Sequence, residues 1–241
     1  MATVGKPADP EMATAGSSTD PEGDPGPSPG HRPARRLSAV ERRRQLSAVA
    51  LTLFAERGYR ATTMEDVADA AGVTKPLVYQ HFSSKRALYL ELVDAVARDL
   101  VSAVDRATAS ADGPRQQVEQ GFAAYFHMVV THEAAFRVLF GRADEQDEEL
   151  GEALHRVEDA LAETIDPLIA AGLDAEHRRF LAYAVVGMAE GASRRWLATR
   201  TAAETGNGSG PVGQTPEVEA QQLARRLADL AWAGLRSVHA D

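Results

Sequence analysis

The chain has 241 residues, of which 44% are hydrophobic and 25% charged, and a formal net charge of −9; this length supports one substantial core or two smaller ones. It contains no cysteine, which excludes disulfides, zinc–thiolate sites, thiol redox switching and cysteine nucleophiles. No segment offers the roughly 18 consecutive apolar residues of a membrane span, and no apolar run follows Met1 as in a secretory leader. The expectation is a cytoplasmic protein with no membrane partner.

The net charge hides an asymmetry. From His31 to Arg86 there are eleven Lys and Arg against five acids, whereas residues 87–241 carry fourteen bases and twenty-five acids. A basic block joined to an acidic body is the pattern of a polyanion-binding module, although an Arg-rich stretch by itself also describes a solvated face.

Along the chain, residues 1–30 hold six prolines and five glycines among small polar residues, too little apolar surface to offset the entropy of ordering. Residues 1–37 are therefore expected to be a disordered tail, with His31, Arg32, Arg35 and Arg36 as its basic end. A first helix is predicted from Ser38 to Arg57, its buried stripe formed by Leu46, Val49, Ala50, Leu53 and Phe54. Arg42, Arg43 and Arg44 lie mostly off that stripe. Gly58 stands where a left-handed C-cap ends a helix. Thr62 or Thr63 opens a short second helix, with Thr62-x-x-Glu65 fitting a capping box and Met64, Val67, Ala68 and Ala71 facing inward. Gly72 stops it. Thr74 caps a short third helix that tolerates Pro76 in its first turn and is anchored by Val73, Val78 and Phe82. Ser84 caps a long fourth helix, reaching about Ala107, whose stripe is Leu88, Leu92, Val96, Leu100 and Val104. Helices continue to the end, broken by a glycine-rich loop at about 201–216. With no alternating strand pattern and no repeat, the fold class is all-α: an N-terminal helix-turn-helix joined by a long helix to a helical body.

Two short helices joined by a tight glycine turn and braced by a longer one form a helix-turn-helix. The third helix is packed on one side, so its other side is free to enter the roughly 12 Å major groove. It presents Thr74, Lys75, Leu77, Tyr79, Gln80 and His81, a set suited to phosphates and base edges.

The stretch Leu53-Phe54-Ala55-Glu56-Arg57-Gly58-Tyr59, Ala61 to Ala68, Ala71 to Phe82 and Ser84-Lys85 resembles the tetracycline-repressor (TetR) family of bacterial regulators, without a gap over residues 40–92. The resemblance implies phosphate contacts from Thr63, Tyr79, His81 and Lys85, base reading by Thr74, Lys75 and Leu77, and structural roles for Gly58, Gly72, Val78 and Phe82. It further implies domains at 38–90 (DNA binding) and 91–241 (effector binding and dimerisation), a homodimer on a palindromic double-stranded operator, no cofactor, and no enzymatic activity. Lys75 to Val93 and the ending Ala231-Trp232-Ala233-Gly234-Leu235 resemble an actinobacterial branch concerned with fatty-acid metabolism, whose effector would be a long-chain acyl-CoA or similar lipid.

In the acidic body, Phe122, Tyr125, Phe126, Phe136 and Phe140 are dense enough to build either a dry core or the wall of an apolar ligand pocket. Arg137 and Arg142 are candidates for an anionic head group. A helix from Asp174 to Arg200 carries Phe180, Leu181, Ala184, Val185, Met188, Ala192 and Trp196, with Gly187-x-x-x-Gly191 permitting close helix approach. The last helix, Thr215 to Val238, carries Leu223, Leu227, Leu230, Ala231, Gly234 and Leu235. The family pairs these two helices with their copies. Two other patterns lack their context: Gly208 to Gly213 matches G-x-G-x-x-G with neither a preceding strand nor a helix opening inside the motif, and Glu152-x-x-His155 is a single pair where carboxylate-bridged metal sites need two plus further Glu. A small-molecule-binding or catalytic helical bundle, or a helical interaction protein, is the rival reading.

Overall fold

Apolar residues at three-and-four spacing fold into nine α-helices among the described residues, and no strand forms there. They are α1 (Ala39–Ala61), α2 (Met64–Ala71), α3 (Lys75–His81), α4 (Lys85–Ala109), α5 (Pro114–Thr131), α6 (Glu133–Phe140), α7 (Glu148–Ile165), α8 (Ala175–Glu204) and α9 (Pro216–Leu235), with a 3₁₀ turn at Asp166–Leu168. The computed structural model describes residues 37–140, 148–169, 172–204 and 215–238. The N-terminal tail with its basic end, the glycine-rich stretch Gly208 to Gly213 and Arg142 lie outside the described residues, as does the side chain of Phe140.

Local chemistry explains the helix ends. Ser38 and Glu41 form a reciprocal capping box at the start of α1, satisfying amides that have no intrahelical partner. Gly58 breaks that helix with φ 81° and ψ 165°. This is not the left-handed cap expected from the sequence but an extended positive-φ geometry that only glycine adopts readily, and helical residues resume as far as Ala61. The second capping box also departs from expectation. It is formed by Thr63 and Asp66, not Thr62 and Glu65. Thr62 is buried, and its hydroxyl donates to the carbonyls of Gly58 at 2.9 Å and Leu53 at 3.3 Å. Thr62 therefore stitches the Gly58 break together while its neighbour opens α2. Gly72 ends α2 in the left-handed conformation (φ 64°, ψ 38°), its N–H donating back to Ala68 and Asp69. Thr74 occupies the N-cap of α3, but its hydroxyl makes no capping bond. Ser84 caps α4, accepting from the Ala87 N–H at 3.0 Å.

One apolar core runs through the described helices from Leu46 to Ala231. The predicted stripes of α1 and α2 are buried, except that Val49 is half-buried, and Leu88, Leu92, Leu100 and Val104 are buried on α4, with Val96 half-buried. α9 differs from expectation. It buries Ala220, Ala224, Ala228 and Ala231, leaving Leu223, Leu227 and Leu235 half-buried and Leu230 exposed. Small side chains at four- and three-residue spacing let α9 lie close along α5, and the bulkier leucines fall to the flanks.

Candidate DNA-reading face and effector cavity

Val78 and Phe82 are 0% and 2% exposed, so α3 is pinned by the two anchors its spacing predicts. Thr74, Lys75, Tyr79 and Gln80 are exposed and Leu77 and His81 half-exposed. Tyr79 is 47% exposed despite its ring. Thr63 is also exposed at the start of α2, and α2 and α3 meet there: the Lys75 ammonium donates to a Glu65 carboxylate oxygen at 3.0 Å. That bond, with the charge of Glu65, holds the Lys75 pKa above its ordinary value. Thr63 in turn lowers the pKa of Asp66 through hydrogen bonds to its carboxylate.

Lys85, expected as a phosphate contact, is held differently. Its ammonium donates to the Tyr59 carbonyl at 2.7 Å and sits 4.3 Å above the Tyr59 ring. Partial burial lowers its pKa. It thus braces the end of α1 against α4. Beneath it, Tyr59 and Phe54 pack edge-on against Tyr89, with ring centroids 5.0 and 5.3 Å away. The buried Tyr89 hydroxyl donates to the Val138 carbonyl at 2.8 Å, tying α4 to α6, and burial pushes its pKa up to about 12. A second brace had no signal in the apolar periodicity. Arg43 of α1 donates through Nε to Glu91 of α4 at 2.9 Å, through a further nitrogen to the same carboxylate, and through the third to the His81 carbonyl.

At the other end of α4 a cavity of about 450 Å³ opens among α4, α5, the end of α7, the 3₁₀ turn, α8 and the end of α9. Its wall is mainly apolar and includes Val104, Phe122, Tyr125, Leu161, Val186 and Trp232, with Thr108, Gln117 and Arg236 as its polar members. Of the residues expected to bind a ligand, Phe122 and Tyr125 line it. Phe126 and Phe136 are buried at 1% and 0% exposure in the packed core and are not on the wall. The four aromatics are close in sequence, but helix rotation turns only one side of α5 toward the cavity. Nor does Arg137 line it: its guanidinium donates to Glu133 at 2.7 and 3.1 Å. Glu133 also faces Arg200 of α8 at 3.8 Å, which lies 3.9 Å from Glu219 of α9. Contributions from α7 and α9 were missed because nothing in their spacing indicates which helices converge.

Helices α8 and α9 both present apolar residues to solvent. On α8 Phe180 is 69% exposed, and Ala184, Gly187 and Gly191 follow it on the exposed side; on α9 Leu230 is 60% exposed, with Gly234 beyond it. A Cβ built on Gly187, Gly191 or Gly234 would meet nothing within 4 Å. Trp196 and Ala231, expected on this face, are instead buried within the chain, where the Trp196 indole N–H donates to Glu219 at 3.0 Å. None of the described helices is long and apolar enough to cross a membrane.

Comparison with known proteins bears on the family and the fold. Residues 46–92 match the family model of bacterial regulatory proteins of the tetR family, and residues 114–234 match the tetracyclin repressor-like C-terminal domain. The HTH-type transcriptional activator FasR of Mycolicibacterium smegmatis is 30% identical over 229 residues, covering 94% of this chain and 98% of its own. A TetR-like transcriptional regulator from Rhodococcus sp. RHA1 superposes with a TM-score of 0.64 at 25% identity, over 84% of this chain and 100% of its own. FadR of Bacillus subtilis, in complex with stearoyl-CoA, shares the fold at a TM-score of 0.64 and 14% identity, over 79% of this chain and 98% of its own. With both halves of the chain matched and its helix-turn-helix built as described, this protein is a transcriptional regulator belonging to the tetR family.

Proposed function

We propose that the chain acts as a homodimer that reads a palindromic operator through α2 and α3 and releases or tightens its grip when an acyl-chain effector fills the cavity. In this reading residues 38–90 are the DNA-binding module and 91–241 the effector and dimer module. The observation that carries it is the placement of α4. Its first turns hold the helix-turn-helix through the Lys85 bond to the Tyr59 carbonyl and the packing of the Tyr89 ring on Phe54 and Tyr59, and its last turns wall the cavity through Val104 and Thr108. At about 1.5 Å per residue its 25 residues span about 37 Å as one rigid element. A ligand that shifts its far end alters the separation of the two recognition helices in a dimer, and that separation selects the half-site spacing.

Thr63, Tyr79 and His81 are the proposed phosphate contacts, and Thr74, Lys75, Leu77 and Gln80 the proposed base-reading set. Lys85 is a further proposed phosphate contact, because its ammonium has three donors and the Tyr59 carbonyl does not take them all. The cavity volume falls within the roughly 300–1,000 Å³ of small-molecule sites, its wall suits an apolar chain, and FadR, which shares the fold, binds stearoyl-CoA. Arg236 at its rim takes the head-group role first assigned to Arg137. The exposed stripe of α8 and α9 is the proposed dimer face.

The test is operator binding followed by fluorescence polarisation while long-chain acyl-CoA is titrated. A change in operator affinity of roughly 5–150-fold is expected, the range of typical allosteric coupling. An acyl-CoA that raises thermal stability and leaves operator affinity unchanged refutes the coupling.

A further inference from the structure

Resting on the DNA-binding reading, we infer that Arg43 is a positioning residue that sets the orientation of the recognition helix and thereby its base discrimination, without itself belonging to the phosphate footprint. A helix of seven residues such as α3 is too short to hold its own shape; its stability comes from what packs against it. Its C-terminal carbonyls have no intrahelical partners and carry the negative end of the helix dipole. Arg43 meets that end in three ways. One guanidinium nitrogen donates to the His81 carbonyl, the last residue of α3. The guanidinium carbon lies 4.3 Å from the centroid of the Phe82 ring, the anchor that follows. The other two nitrogens grip both carboxylate oxygens of Glu91 on α4. One planar cation therefore fastens α1, the end of α3 and α4 together.

Arg43 sits between Arg42 and Arg44 in a basic run whose obvious role is electrostatic attraction to DNA. The structure separates it from that role, because its charge is matched by Glu91 and each of its three nitrogens already donates to a protein oxygen. Lysine cannot substitute. An ammonium is a point charge and cannot form the planar fork to a carboxylate while stacking on a ring and capping a carbonyl. A phosphate contact has the opposite behaviour, since lysine keeps the charge that displaces counterions.

These differences define the experiment. The full chain is used to enrich duplexes from a random-sequence pool, and affinities for the enriched duplex and a shuffled one are measured over a salt series. Arg43→Lys and Glu91→Gln are compared with the parent, with circular dichroism verifying that each is folded. Both variants are expected to lower the ratio of enriched to shuffled affinity by at least about fivefold, the loss of one good base contact, with salt slopes equal to the parent's. Discrimination retained in Arg43→Lys overturns the inference. So does Glu91→Gln binding both duplexes more tightly, the result expected if removing an acid frees Arg43 for phosphate. If one variant does not fold, the other decides alone. A parent chain that enriches no sequence overturns the DNA-binding reading itself, a result distinct from either variant's behaviour.

Discussion

Thr62 and Thr63 are adjacent and chemically identical, yet the fold gives them separate tasks. The buried Thr62 hydroxyl bonds two carbonyls around Gly58, and Thr63 caps α2 at the surface. Thr62→Val keeps the shape but leaves those carbonyls without this donor, and is expected to cost about 1–3 kcal/mol in urea unfolding. Thr63→Ala should cost about 1 kcal/mol as a lost cap, and in addition weaken DNA binding. Tyr79→Ala is expected to leave the melting temperature within about a degree and reduce affinity for all duplexes, because its ring is half exposed and its loss opens no cavity; Phe82→Ala should cost about 3–5 kcal/mol. Equal destabilisation by the two would refute the assignment of faces. At Glu158 of α7, burial first and the facing carboxylate of Glu190 on α8 next raise the pKa above 4.5, against a lowering by His155. A raised pKa in the folded state means that this group's stabilising contribution is complete below about pH 4.5 and lost as pH rises through the folded value. Glu158→Gln is therefore expected to raise the melting temperature by about 1–2 °C at pH 7 and not at about pH 4, a small effect because solvent screens a partly exposed pair. Sequence motifs located both threonines, but only their burial distinguishes the two roles.

Among the elements, α5 approaches α4 through Gly121. A Cβ on Gly121 would lie 3.3 Å from the Thr108 methyl, and Thr108 cannot rotate away cheaply because its hydroxyl donates to the Val104 and Asp105 carbonyls at 3.0 and 3.1 Å. Gly121→Ala gains about 1 kcal/mol of helix propensity but overpacks, at about 1–3 kcal/mol. The expected net result is a loss of up to about 2 kcal/mol. Thr108→Ser, which removes the methyl and keeps the hydroxyl, should restore the propensity gain in a double-mutant cycle. Additive effects of the two changes would show that the contact is slack. Both residues line the cavity, so the pair also adjusts the space available to a ligand. The glycine is visible in the sequence, but the helix it approaches is not.

For the whole molecule, the expected chain of effects runs from the cavity through α4 to the recognition helix, and across α8 and α9 to a second copy. Leu230→Glu places a charge in the exposed apolar face. It is expected to shift sedimentation toward a monomer and weaken operator binding, with the melting temperature of the individual chain little changed, since Leu230 is 60% exposed. A dimer that survives this substitution would place the interface elsewhere. Tyr89→Phe removes the bond from α4 to the Val138 carbonyl of α6. It is expected to cost about 1–2 kcal/mol and to reduce the effect of acyl-CoA on operator affinity more than operator affinity itself.

The amino-acid sequence by itself determined the helical class, the helix-turn-helix and the outward set on α3, because these depend on spacing within 30 to 50 residues and on caps and glycines that act locally. It also located α8 and α9, through periodic apolar positions. Four features were decided only by the tertiary structure: the capping box falling on Thr63, Arg43 and Lys85 serving as braces, α9 burying alanines, and Phe122 and Tyr125 facing the cavity while Phe126 and Phe136 do not. The capping box turns on which of two adjacent threonines is drawn into the core, and the other three on the rotation of one helix relative to another distant in sequence. Periodicity specifies that a helix has an apolar face; which neighbour covers that face, and which polar groups are caught between them, follows only from the packing of all the helices together.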